Sequence, residues 1–239
     1  IMTSSINPQI FREYDIRGIV GQDLTAESVA SIGKAIGTFI KRGGGKTMII
    51  GRDVRTSSIK FRDILSKALN STGCDVIDIG MVPTPVTYFA LHHFKADGGV
   101  MITGSHNPPE YNGFKISQGV HSLYGEKVQE LKRLIDANDF EIGTGNTNQR
   151  EVLGHYMEKI CSILKISRKV KVVVDGGNGC FGIVGPDLLR KLGQNPIELF
   201  SEPDGTFPNH HPDPTVTEHL THLIAKVRSE NAELGIGFD

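Results

Sequence analysis

The sequence is short of net charge, of cysteine and of long apolar runs, and each shortage closes off a class of function. Its 26 basic residues against 27 acidic ones leave a formal charge of −1, so no global field draws nucleic acid or an anionic membrane surface to it. Any anion it binds must be held by a local site. The cysteines, Cys74, Cys161 and Cys180, are odd in number and share no CxxC or Cys/His spacing, which argues against a disulfide framework or a structural zinc and for a reducing, cytoplasmic setting. No segment approaches the ~20 apolar residues of a membrane span. The polar start Thr3-Ser4-Ser5 has neither the basic nor the apolar region of a secretory signal, and Ile1 stands before Met2, which reads as the natural start.

What is present is enough for one large or two modest cores: 239 residues, 38% of them apolar. Val29, Ile32, Ile36, Phe39 and Ile40 recur at helical spacing between Thr25, a natural N-cap, and the stop Gly43-Gly44-Gly45. The apolar run 47–50 predicts a strand, and Phe61, Ile64, Leu65, Ala68 and Leu69 predict a second helix ending at Gly73. The rhythm continues with expected strands at 76–79, 100–103 and 113–117 and helices at 86–94 and 126–137. Asn138 to Gln149 is polar and glycine-rich and reads as a linker. Beyond it come a helix around 155–164, strands at 169–175 and 196–200, helices at 186–192 and 217–231, and the beginning of a strand at 234–238. This alternation predicts an α/β fold of two successive mixed, mostly parallel sheets flanked by helices, in domains 1–145 and 146–239. A parallel strand normally feeds a loop and a helix, so the second unit reads as cut short at Asp239.

Several segments could carry chemistry. Ser105, in Thr103-Gly104-Ser105-His106-Asn107-Pro108-Pro109, follows an expected strand, where α/β sheets hold their ligands. The prolines stiffen the loop, and His106, Asn107 and Lys115 lie close by in sequence. Adjacent side chains on extended backbone point apart, so Ser105 and His106 do not make a protease-like pair, and His106 is cast as an electrostatic helper. A polar turn accounts for the same residues without function. In Phe11-Arg12-Glu13-Tyr14-Asp15-Ile16-Arg17-Gly18, Arg17 suits phosphate and Tyr14 a hydroxyl, against a surface ion-pair network with Glu13 and Asp15. Gly51 to Ser58 joins a strand to a helix N-terminus beside Arg52 and Arg55, an anion-binding arrangement that helix capping by Ser57 or Ser58 explains equally. Gly177-Asn178-Gly179-Cys180-Phe181-Gly182 matches GxGxxG, with Glu198 about 20 residues on, as a dinucleotide site requires. A tight structural turn is the alternative. His92-His93 and His210-His211 lack the spacing of a helical zinc site and are assigned to packing or surface.

Taken together, the Ser105 loop, its continuation Tyr111-Asn112-Gly113-Phe114-Lys115, the segment 11–18, Arg52-Asp53, Asp175-Gly176-Gly177-Asn178-Gly179 and the run 202–214 resemble the α-D-phosphohexomutase family, in its bacterial phosphomannomutase/phosphoglucomutase branch. The resemblance implies a phosphorylated Ser105 that interconverts hexose 1-phosphate and hexose 6-phosphate, of mannose or glucose, through a hexose 1,6-bisphosphate. It implies Lys115, His106 and Arg17 beside the transferring group and Tyr14, Arg17, Asn107 and Lys115 as substrate contacts. It also implies Mg²⁺ bound by the phosphoserine and by three aspartates in a DGDGDR-like loop, of which Gly237-Phe238-Asp239 would be the start and Asp239 the first ligand. The expected partners are hexose phosphates and the missing C-terminal domains of the same chain, with no nucleic acid and no membrane. Without those domains little or no turnover is expected. The other readings are a nucleotide-binding module on Gly177, Gly179 and Gly182, and a non-catalytic sugar-phosphate binder.

Overall fold

A computed structural model describes residues 6–239, and the expected start at Met2 lies outside the described residues. The chain divides into two compact units. One contains the residues up to Gly104 and Glu110–Glu151; the other contains Ser105–Pro109 and Val152–Asp239.

In the first unit a 3₁₀ turn at Pro8–Ile10 precedes seven strands and four helices. The strands are β1 (Ile16–Ile19), β2 (Thr47–Arg52), β3 (Asp75–Met81), β4 (Gly98–Ile102), β5 (Tyr111–Gln118), β6 (His121–Ser122) and β7 (Thr147–Gln149); the helices are α1 (Ala26–Arg42), α2 (Thr56–Ser71), α3 (Thr84–His93) and α4 (Glu126–Asp136). The sheet runs β1-β5-β4-β2-β3-β7, with β6 on β5. It is mixed: β2 lies parallel to β3 and β4, and β3 to β7, while β5 is antiparallel to β1 and β4. β2 and β4 show no period-2 alternation because their residues are buried on both faces, as parallel strands covered by helices must be.

α1 begins where the sequence puts it. The Thr25 hydroxyl accepts a hydrogen bond from Ser28 N, and the Ser28 hydroxyl accepts one from Thr25 N, a reciprocal capping box. The helix buries Val29, Ile32, Ile36 and Ile40. Two glycines one turn apart set its approach to α2: a Cβ on Gly33 would meet Ala68 Cβ at 2.6 Å, and one on Gly37 would meet Thr72 Oγ1 at 2.1 Å. Behind this contact Leu65, Leu69, Ile50, Val100 and Phe114 join one continuous core, each fully buried large side chain contributing about 1.5–3 kcal/mol.

The segment expected as a linker is partly structured. Residues 147–149 form β7, whose main chain pairs with β3 at Val76, Ile77 and Asp78 although its own side chains are exposed. An edge strand held by backbone pairing and one polar contact, Asn70 Nδ2 donating to Thr147 Oγ1 at 2.8 Å, leaves no hydrophobic pattern to read. Capping of α2 by Ser57 or Ser58 is also not found. The N-cap, Arg55, has no side-chain cap bond, and the Ser58 hydroxyl donates instead to Asp53 Oδ1 at 2.6 Å.

The second unit contains α5 (Leu153–Ile163), β8 (Val172–Asp175), α6 (Gly185–Lys191), β9 (Ile197–Leu199), α7 (Thr221–Ser229) and β10 (Leu234–Gly237), with 3₁₀ turns at Cys180–Ile183 and Thr217–Leu220. Its sheet, β10-β8-β9, is wholly parallel. β8 is its central strand and is buried throughout. The expected helix at 217–231 is split, opening as a 3₁₀ turn before α7.

Candidate functional site

In the first unit the chemistry gathers around Gly104, two residues past β4. Its N–H donates to Asp53 Oδ2 at 3.1 Å, and its carbonyl accepts from Arg17 Nη1 at 2.8 Å. Arg17 lies on β1 opposite Gly113 of β5 and is only 7% exposed. Its Nη2 pairs with Asp15 at 2.6 Å, while its buried Nε has no hydrogen-bond partner among the described residues. A guanidinium left with an unused donor in a buried position is expensive unless something meets it. Lys115, on β5, approaches the same Asp15 carboxylate at 4.0 Å. Arg17 and Lys115 are thus two cations flanking one acid. The ion pair foreseen at the surface is buried, and its cationic side is the larger. Tyr14, by contrast, is 72% exposed.

Ser105–Pro109 group with the second unit. Ser105 has φ +51°, in the left-handed region, where a residue with a Cβ sits at a cost of about 1–2 kcal/mol. Such outliers cluster at functional sites. Its hydroxyl donates to Asp239, 3.1 and 3.2 Å from the two carboxylate oxygens, and His106 Nδ1 lies 3.0 Å from Asp239 Oδ2. Ser105 and His106 therefore converge on a shared carboxylate. Asn107 follows in the same loop, partly buried.

Asp239 is held by groups that the sequence did not announce. Phe238 N donates to Asp175 O at 3.0 Å, and the Phe238 ring stacks on Phe181 with centroids 3.6 Å apart. Asp175 itself is 1% exposed; its carboxylate accepts from Gly177 N at 2.9 Å and faces His210 Nε2 at 2.9 Å. His210 Nδ1 faces the carbonyl of His211 at 2.9 Å. The expectation of packing or surface for His210 gives way to a contact with the buried Asp175 carboxylate. The run of prolines and turns around it carried no periodicity that could have revealed this.

The glycine run has a structural purpose. Gly177 and Asn178 both have positive φ, a Cβ on Gly182 would fall 1.5 Å from Ser201 O, and one on Gly185 would fall 1.8 Å from a Phe181 ring carbon. A 3₁₀ turn follows, and α6 begins only at Gly185, so the glycines do not open onto the helix N-terminus that a pyrophosphate requires. Glu198 is engaged by Arg190. The nucleotide-binding alternative is not favoured.

No group of three or more His, Cys, Asp or Glu able to hold a metal occurs among the described residues. No helix among them is long and apolar enough to cross a membrane. A cleft of about 570 Å³ lies over the first turns of α1 and α2, lined in part by Glu27, Thr56, Ser57 and Lys60. It contains none of the residues expected to act.

Comparison with known proteins covers nearly the whole chain. Residues 8–141 match the family model described as phosphoglucomutase/phosphomannomutase, alpha/beta/alpha domain I, and residues 154–239 match alpha/beta/alpha domain II. A phosphomannomutase/phosphoglucomutase from Pseudomonas aeruginosa is 47% identical over 230 residues, 96% of this chain and 50% of that protein. A phosphoglucomutase from Neisseria meningitidis is 41% identical over 99% of this chain and 52% of its own length. Among solved structures, a phosphoglucomutase/phosphomannomutase family protein from Burkholderia thailandensis superposes with a TM-score of 0.94 at 42% identity, covering 98% of this chain and 53% of that one. The chain spans about half the length of the relatives it matches.

Proposed function

The chain belongs to the phosphoglucomutase/phosphomannomutase family, and from that premise we propose that it carries the phosphoryl-bearing serine of a hexose-phosphate mutase. Phosphorylated Ser105 gives its phosphoryl group to the free hydroxyl of a mannose or glucose monophosphate. The bond from Oγ to phosphorus breaks, a bond from the sugar oxygen to phosphorus forms, and the hydroxyl proton leaves to a base. The resulting hexose 1,6-bisphosphate returns its other phosphate to Ser105, which completes the isomerisation of 1-phosphate to 6-phosphate.

The transferring group is anionic and passes through a charge-rich transition state, so catalysis is largely positioning and electrostatic stabilisation. We assign Arg17 and Lys115 to that stabilisation. Arg17 and Lys115 carry their charge on adjacent strands beside the same Asp15 carboxylate. His106 acts beside Ser105 as an electrostatic helper, and Tyr14 and Asn107 offer hydrogen bonds to the sugar. Reactions of this class consume soluble sugar phosphates, and we assign the protein to the cytoplasm.

Mg²⁺ takes hard oxygen ligands, typically six. The Asp239 carboxylate and the Ser105 oxygen, 3.1 Å apart, are donors of that kind. They supply only part of such a shell. When bound there, the ion would offset negative charge on the phosphoryl oxygens. Asp239 and Ser105 would hold it.

The observation that carries this proposal is Ser105 itself: a left-handed serine past the carboxyl end of β4 whose hydroxyl meets a carboxylate. Peptide mass spectrometry after incubation with glucose 1,6-bisphosphate tests it. Phosphate on the peptide containing Ser105, absent from Ser105→Ala, is expected. An unmodified Ser105 under conditions where the related full-length enzymes are phosphorylated would refute the proposal.

A further inference from the structure

We propose that Asp53 and Arg55 are positioning residues for Ser105, acting through the backbone of Gly104. This inference rests on the phosphoserine function just proposed and assigns part of its machinery to two buried residues. Both oxygens of Asp53 are engaged twice. Oδ1 accepts from Arg55 N at 3.0 Å and from the Ser58 hydroxyl, while Oδ2 accepts from Arg55 Nε at 3.2 Å and from Gly104 N at 3.1 Å. Arg55 is 1% exposed and among the largest fully buried side chains of the protein. Its Nη1 donates to the Tyr111 carbonyl at 2.9 Å, tying α2's first turn to the start of β5.

The guanidinium packs against the Gly104 Cα. A Cβ at position 104 would come within 2.4 Å of both Arg55 Cζ and Arg55 Nε. Gly104 is therefore gripped on three sides, by Asp53 at its N–H, by Arg17 at its carbonyl and by Arg55 at its Cα. The next residue is Ser105, with its left-handed φ. Such a conformation persists only where the surrounding structure over-determines it. The buried pair supplies that constraint, because a charged group locked in this way by hydrogen bonds cannot move without exposing an unpaired charge. This also gives Arg55 a different role from the anion site suggested by its position at a helix N-terminus. Its charge is spent inside the protein.

The test measures phosphorylation of Ser105 by glucose 1,6-bisphosphate in the 239-residue chain, as a function of bisphosphate concentration, for wild type, Asp53→Asn, Arg55→Met and Arg55→Lys. The Asp53→Asn change replaces one carboxylate oxygen with an amide nitrogen and so turns a donor toward donors. The saturated rate is expected to fall at least tenfold in Asp53→Asn and Arg55→Met, with the half-saturating concentration within twofold of wild type. Arg55→Lys should recover part of the loss. Folded variants with the wild-type saturated rate, or with an altered half-saturating concentration alone, would overturn the positioning role. If wild type takes up no phosphoryl group, the function proposed above fails on its own account. In that case, or if the variants do not fold, amide exchange at Gly104 in the wild-type chain decides: protection like that of β4 supports the grip, and exchange at the rate of an open loop overturns it.

Discussion

The two units solve the same architectural problem with different means. In the first, α1, α2, α3 and α4 each bury apolar side chains, from Val29 and Ile36 on α1 to Val128 and Leu131 on α4. In the second, α5 buries no residue, α6 only Gly185 and Pro186, and α7 only Leu223. With less apolar burial in its helices, the second unit depends more on the side-chain hydrogen bonds of its few buried polar residues, Asp175, Asn178 and Gln194. The Gln194 side chain bonds Val170 N and Arg168 O, Asn178 bonds Glu202 O and Asn209, and Asp175 bonds His210. Apolar burial is the dominant favourable term in folding, so the first unit should be the more stable of the two and the second the more readily lost.

The largest expected effect lies at the pair that locks β8. Asp175→Ala removes the buried carboxylate that accepts from Gly177 N and meets His210 Nε2, and each buried partner left unsatisfied costs about 1–3 kcal/mol. Calorimetry should show the transition of the second unit lost or moved far down while that of the first stays within a few degrees. A shift shared equally by both would break the comparison. Next comes Ile36→Ala, at a fully buried position of α1, with an expected loss of about 2–5 kcal/mol from transfer and cavity terms. It should lower the first unit's transition alone. Smaller again is Ile163→Ser at the end of α5, a residue 60% exposed, where a change within about 0.5 kcal/mol is expected. A loss above about 2 kcal/mol in urea unfolding, outside the range of surface substitutions, would mean that α5 is packed against something.

How much of this was legible depended on which force held each element. α1 could be read from its apolar spacing and its cap, because burial of one helical face writes a 3.6-residue period into the chain. The same is true of β8, a run of valines ending in Asp175. β7 was invisible because backbone hydrogen bonds hold it and impose no side-chain pattern. The site was legible in part. Ser105 could be found from its place after a strand, and Arg17 from its chemistry, but Arg55 read as one side of an anion-binding helix N-terminus and Asp53 only as part of a family motif, since nothing in a sequence says whether a charge faces water or a buried partner. Asp175 and His210 are 35 positions apart, and no local rule connects them.

Acid gives the finest test of the difference. Each unit has a carboxylate held below its ordinary range by specific donors. Asp23 is held first by Ile19 N and then by the Asn7 amide. Asp213 is held first by the Thr215 hydroxyl and then by Thr215 N, with His106 and His219 adding charge. A carboxyl whose folded pKa is depressed binds fewer protons folded than unfolded. Its contribution is complete above the unfolded value of about 3.9 and disappears as pH falls through the folded value. Both transitions should accordingly drop as the pH is taken below about 4. Thr215→Val removes the first donor to Asp213 at 2.6 Å and should flatten the acid slope of the second unit without touching the first, while Asp23→Asn should do the reverse. Because neither carboxylate is fully buried, solvent screens both, and the slopes will be shallow and best read by comparing each variant with wild type in one low-salt buffer series. If Thr215→Val flattens the slope of the first unit as well, the two units do not unfold separately, and the contrast between the larger apolar core and the smaller one loses its thermodynamic meaning.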